Sequence, residues 1–249
     1  MTRIKSYLKC CLLVLCFSIL PMIVRIIGIG FLTKFTDDYK VLYLNAYTTY
    51  GKSSDELKLV VDYGGTFFTW IGLALISLFL VWKDHKDIKG NVKIEPKVFY
   101  ALSLGIILST VLVFTNTDNA DYVGYKGIWV LCYILQAILT VVLENLVFRY
   151  ECLKYLKEKK KWVRFLIPLV LYLMTGEKEE IVMGIILYTI SYFLYTKTDN
   201  LMISFSFNLG LTLITLMAGA VKTNVLVIIS VVSIILCVIL AVRKRVSKC

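Results

Sequence analysis

Apolar stretches of nearly bilayer-crossing length, separated by short charged connections, recur along the whole 249-residue chain. A spanning helix needs about 20 apolar residues, within a range of about 17–25. By that measure eight spans are expected, near 8–32, 59–82, 98–115, 127–148, 162–176, 180–195, 200–220 and 224–242. In lipid the backbone has to satisfy its own hydrogen bonds, so such stretches fold as helices. The fifth and sixth are short. Either they form a tightly turned pair shielded by neighbours, or one of them fails to span. Hydrophobic residues make up 59% of the chain and mean hydropathy is +0.78, more than any soluble domain requires. The expected fold class is all-α, a polytopic membrane helix bundle of about eight transmembrane helices.

The charges test this layout. Net charge is +11, yet the cations sit in short connections, which argues against nucleic acid as a partner. The lipid bilayer is the partner that fits. If the N-terminus is inside, the inside segments hold 20 Lys and Arg residues and the outside loops hold 7, with Arg25 left within the first span. Cytoplasmic loops carry such an excess, so both termini are expected in the cytoplasm and the protein in the cell membrane as a multi-pass chain. Arg25 either pairs with an intramembrane acid such as Glu144 or snorkels to the outer surface.

The N-terminal Arg3, Lys5 and Lys9 precede an apolar run, as in a signal sequence. No small-residue cleavage site follows, so an uncleaved first helix is expected. Leu15 before Cys16 argues against a lipoprotein site, and Cys249 does not form a prenylation box. The other cysteines, Cys10, Cys11, Cys132, Cys152 and Cys237, also fall in spans or inside loops, so they read as small apolar residues rather than a disulfide framework. In the longest outside loop, 33–58, Tyr39, Tyr43, Tyr47 and Tyr50 share one helical face. That face either lies among headgroups or receives an extracellular peptide or protein.

Polar residues within the spans also keep helical spacing. Gln136, Thr140 and Glu144 share a face of the fourth span. Ser204, Asn208, Thr212 and Thr215 do so on the seventh, and Tyr188, Ser191 and Tyr192 on the sixth. Polar groups at membrane depth turn inward, and an intramembrane acid is a functional candidate by default. The fourth and seventh spans are therefore expected to present polar seams to each other. Helix–helix hydrogen bonding is the alternative role for the Ser and Thr residues.

Glu144, Phe148 and Arg149, followed by a Leu/Lys-rich stretch and a helix opening at Trp162, resemble the first motif of the CPBP family. These are the CAAX proteases and bacteriocin-processing intramembrane enzymes, also called Abi. The motif is Glu-Glu-x-x-x-Arg, often with Phe before the Arg and Gly after it. Asn145 stands for the second Glu here and Tyr150 for the Gly. The Phe-x-x-x-His motif of the family falls near Tyr172–Gly176, which has an aromatic residue but no histidine. The family's turn before its last motif resembles Thr198-Asp199-Asn200-Leu201, and the positions of its His-x-x-x-Asn motif fall on Asn208 and Thr212. The resemblance covers roughly 127–220, a CPBP-like core between the helices of 1–126 and the final helix and basic tail of 221–249.

The resemblance implies an eight-helix bundle with a polar cavity on the cytosolic side. It implies catalytic roles for Glu144, with Arg149, and for the positions of Asn208 and Thr212. Gln136, Thr140, Asn145, Tyr172 and Ser204 would line the cavity. Enzymes of the family activate water with the Glu and use histidines for metal binding or oxyanion stabilisation. This chain has a single histidine, His85, in the charged KDHKD stretch outside the spans. Losing one oxyanion donor costs about 10²–10³ in rate, and here both motif imidazoles are replaced. The expected protein is a degenerate CPBP member without cofactor, in which Glu144 and Arg149 pair structurally. It would bind a peptide or a membrane protein such as a sensor kinase, in bacteriocin self-immunity or envelope regulation. The Lys- and Ile-rich composition suits a low-GC Gram-positive bacterium. Two readings stay open beside it: an active endopeptidase built on Glu144, for which zinc would be relevant, and a transporter, against which stands the lack of repeats and of paired broken helices.

Overall fold

A computed structural model describes the backbone of residues 2–35, 55–115, 128–175, 181–220 and 223–246. It describes side chains over 4–28, 67–114, 134–175, 181–217 and 226–246, apart from Gln136 and Leu216. The tyrosine-rich loop and Cys132 and Cys249 lie outside these residues.

The regular structure of the described residues is all helix, with no strand. The elements are α1 (Thr2–Phe35), α2 (Asp55–Gly90), α3 (Pro96–Thr115), α4 (Ile128–Glu144), a π-helical segment (Asn145–Glu151), α5 (Cys152–Tyr155), α6 (Lys161–Thr175), α7 (Ile181–Thr198), α8 (Leu201–Ala220) and α9 (Thr223–Val246). Each of the eight expected spans has a helical counterpart. Among the described residues, five stretches are long and apolar enough to cross a membrane: Ile4–Gly28, Phe67–Gly90, Pro96–Phe114, Ile181–Thr198 and Leu226–Val246. A shorter apolar stretch, Leu201–Thr215, lies in α8. Exposed Leu, Ile, Val and Phe side chains cover the outside of these helices, as lipid-facing surfaces require.

Two boundaries differ from the expectation for one reason. α2 continues through the KDHKD stretch to Gly90, with a kink at Asp84 (φ −118°, ψ 22°), so exposed His85 sits on a helix rather than in a loop. The fourth span runs on as α4, the π segment and α5 to Tyr155. Hydropathy marks where apolar residues stop, but a helix continues wherever its charged turns find partners.

α1 packs on α2, α4 on α2 and α8, and α6 on α7. The most extensive pairing joins α3 to α8. Glycine permits it: a Cβ at Gly105 would strike the carbonyl oxygen of Phe207, and one at Gly210 would lie 2.6 Å from that of Leu102. Small residues let membrane helices approach closely in this way. Ser109 Oγ donates to Leu211 O (2.9 Å) and lies 3.0 Å from Thr215 Oγ1, and Thr110 bonds Ser230 of α9 (3.0 Å). Thr215 thus serves as helix–helix contact towards α3, away from α4.

The ends of α1, α2, α5, α6, α7 and α8 that carry most of the described Lys and Arg residues meet on one face. Lys159 lies over the Tyr7 ring, Lys9 over Tyr155, and Leu201 N–H donates to Asn91 O (2.8 Å).

Candidate functional site

The site is built on the π segment Asn145–Glu151, where the helix widens to i→i−5 bonding and all seven residues are buried. Such bulges are uncommon and concentrate at functional sites. Phe148 anchors it, edge-on to Phe17 of α1 (5.7 Å between centroids) and to Tyr172 of α6 (5.4 Å).

The next residue, Arg149, is 1% exposed. Its guanidinium carbon lies 5.0 Å from the Tyr188 ring centroid and 5.3 Å from that of Tyr172. The two rings are themselves 5.5 Å apart. Nη1 donates to the backbone carbonyl of Glu144 at 3.4 Å, and Nε has no partner. No ion pair joins Arg149 to a described carboxylate. Arg149 thus reaches Glu144 through its backbone carbonyl, with the Glu144 carboxyl close enough to interact electrostatically but beyond ion-pair distance, and aromatic faces receive the guanidinium. A desolvated cation–π contact is worth about 2 kcal/mol, while an unpaired buried charge costs several. The cage thus leaves unmet demand for an acceptor.

Glu144 is half-buried at the end of α4. Arg25 is exposed and makes no ion pair with it, which fits snorkelling. Asn145 joins the two polar seams: Ser204 Oγ donates to Asn145 Oδ1 at 2.5 Å, and Asn145 Nδ2 donates to Val141 O at 2.8 Å. One turn further along α8, Asn208 is buried and its Nδ2 has no partner. Thr212 turns its hydroxyl back to Asn208 O (2.9 Å), so its proton is used within its own helix. Thr140 and Tyr172 are half-buried, and the side chain of Gln136 lies outside the described residues. On α7, Tyr188 Oη and Ser191 Oγ are fully buried and unpartnered. Arg149 Nε, Tyr188 Oη, Ser191 Oγ and Asn208 Nδ2 are thus four of the nine buried side-chain polar atoms without a hydrogen bond among the described residues.

A second polar group closes the basic face below this interior. Lys154 Nζ reaches Asp84 Oδ1 at 2.6 Å and Asp87 Oδ2 at 2.9 Å, which raises its pKa. Lys83 Nζ lies 3.4 Å from both Asp84 and Glu151 and donates to Tyr155 Oη at 3.0 Å. Burial pushes the Glu151 carboxyl up, and the neighbouring Asp84 carboxyl pushes it further. Asp84 Oδ2 and Glu151 Oε1 are both buried without a hydrogen-bond donor. Beside them, Asn200 caps α8 by accepting from Met202 N–H (3.0 Å) and clamps Lys93 with bonds to N–H (3.2 Å) and C=O (2.7 Å). Asp199 turns the chain into that cap at φ 47°, a conformation Asp tolerates.

Comparison with protein-family models, with curated proteins and with solved structures finds no match. The fold and site together define an all-helical, membrane-type bundle with one strongly basic face and a buried arginine cage. Among the described residues no three His, Cys, Asp or Glu side chains cluster as metal ligands would. Of the cysteines, Cys10, Cys152 and Cys237 are buried, with Cys10 Sγ 3.8 Å from Cys152 O, whereas Cys11 and Cys16 are exposed.

Sequence reading missed the Asp84–Glu151–Lys83–Lys154 group, because its members are distant along the chain and look like ordinary loop charges. The available signal was Glu151, an acid among loop cations two residues past Arg149. Tyr188 was legible as an inward residue, but its stacking on Arg149 was not.

Proposed function

We propose that this chain is a CPBP-like, multi-pass protein of the cell membrane that binds a partner without cutting it. Its termini lie in the cytoplasm, where the positive-inside rule puts the basic face. The observation that carries the reading is Arg149, buried between Tyr172 and Tyr188 with its Nε unpartnered and with the Oη of Tyr188 unpartnered too. Unsatisfied donors at membrane depth cost free energy unless something bonds to them. A peptide segment offers carbonyls to Arg149 and Asn208 and an N–H to Tyr188 or Ser191, so a peptide or the helix of a membrane protein suits them. This fits bacteriocin self-immunity or the restraint of an envelope sensor kinase. The positions where the family's histidines would fall hold Asn208 and the Tyr172 region, and the single histidine is exposed at the basic face.

The test uses a host strain deleted for the gene, restored with wild type, Glu144→Gln or Arg149→Met at matched membrane levels. Rescue by Glu144→Gln together with loss in Arg149→Met supports a binding scaffold. Loss of function in Glu144→Gln at normal protein levels would favour an endopeptidase in which Glu144 activates water.

A further inference from the structure

Beside the arginine cage, α6 and α7 separate at the basic face and leave an open groove of about 730 Å³. That lies within the about 300–1,000 Å³ of small-ligand sites. Lys161, Arg164 and Lys197 line it, and no acid does. None of the three forms an ion pair with a described carboxylate, and Arg164 Nε is buried without a partner. The groove therefore gathers three cations without an ion pair, of which Arg164 also borders the neighbouring pocket that holds Asp87 and Asp199. Its walls are aromatic: Trp162, Phe165 and Phe193.

The surface that leads away from the cations decides between occupants. On α6, Trp162, Leu166, Val170 and Met174 are exposed by 61%, 43%, 54% and 76% and recur every fourth residue. They form one apolar stripe that starts in the groove. From 162 to 174 the stripe rises about 18 Å at 1.5 Å per residue, comparable with half of a hydrocarbon core of about 30 Å. A soluble phosphate would use the cations and leave the stripe idle. A neutral lipid would use the stripe and leave the cations without an ion pair. An anionic diacyl phospholipid uses both, with its phosphate on Arg164, Lys161 and Lys197 and an acyl chain along the stripe.

We propose that the groove between α6 and α7 is a binding site for one anionic phospholipid of the leaflet on the basic face. The site is separate from the cage, although the two share α6 and α7. Bound lipid would brace the helices that carry Tyr172 and Tyr188. Lys and Arg near an anionic surface contribute about 5-fold each in affinity.

The test titrates the full-length protein in neutral detergent with phosphatidylglycerol or with phosphatidylcholine of the same chains. Native mass spectrometry counts the lipids that remain bound. One phosphatidylglycerol per chain is expected, with affinity about 100-fold weaker in Lys161→Gln/Arg164→Gln/Lys197→Gln. The single changes at exposed Lys161 and Lys197 should each cost about 5-fold and spare folding, so a misfolded triple variant would not hide the result. Lys9→Gln/Lys86→Gln/Lys89→Gln, on the same face but outside the groove, should bind as wild type does. Equal loss in that control would reduce the site to diffuse charge and overturn the proposal. So would equal affinity for phosphatidylcholine, or competition by glycerol phosphate at the concentration of the lipid.

Discussion

The two polar regions of this bundle lie on adjoining turns of the same helix, yet they handle buried charge in opposite ways. On the basic face, Glu151 meets Lys83 and Asp84, Lys154 meets two acids, and Asn200 uses both ends of its amide. Two residues before Glu151, the equally buried Arg149 has aromatic rings, one long bond to a carbonyl and a free Nε. The first group answers charge with charge, although Asp84 Oδ2 and Glu151 Oε1 have no hydrogen bond, whereas the second holds a cation with no carboxylate at ion-pair distance. The first region is a clamp that ties α2 to the π segment and α5 through ion pairs, and the second is the region we propose as the binding site.

The sharpest way to break the comparison is to move the helix that both regions share. α8 supplies Asn200 to the clamp and Ser204 and Asn208 to the interior, and Gly105 and Gly210 set its distance from α3. Gly210→Leu should lower stability by about 3 kcal/mol, the upper end for an overpacked contact. Binding and clamp should fail together, read as lost thermal stability in detergent. If Gly210→Leu folds as wild type, the close α3–α8 seam is wrong.

Next in size, Glu151→Ala should cost about 1–3 kcal/mol by leaving buried donors unmatched, whereas Glu151→Gln should cost less than half of that. The pH profile sharpens the same point. The folded pKa of Glu151 is raised, so its contribution is full below the usual carboxylate range and is lost as pH rises through the folded value. The wild-type melting temperature should therefore fall with rising pH more steeply than that of Glu151→Gln. Parallel profiles would show that no proton is held between Glu151 and Asp84.

The smallest expected change in stability is in the cage. Arg149→Met removes about 2 kcal/mol of cation–π contact together with an unpaired buried charge, so stability should shift by no more than about 1 kcal/mol while function disappears. A large loss of stability in Arg149→Met would make the cage structural and dissolve the distinction between the regions.

Much of this was legible in the sequence, because lipid imposes strong rules on composition. Apolar length located eight helices, and inward polar spacing picked out Ser204, Asn208, Tyr188 and Ser191 as buried groups, while Asn145 was pointed to only by the family resemblance. The Thr198–Leu201 turn carried its own chemistry in Asp199 and Asn200. The rest depends on contacts between distant residues. Nothing local reveals that Lys154 will meet Asp84, or that Gly105 and Gly210 face each other's backbones. The π segment was hidden too, since its residues suit an ordinary helix and only burial on every side makes the wider turn favourable.

The central claim is that the fold binds without cutting. The most direct measurement compares, by mass spectrometry, the terminal peptides of membrane and secreted proteins from the deletion strain restored with wild type or Glu144→Gln. Identical peptide profiles, with function rescued by both, are the predicted result. New cleavage products that appear with wild type and vanish with Glu144→Gln would contradict it and make the chain a protease.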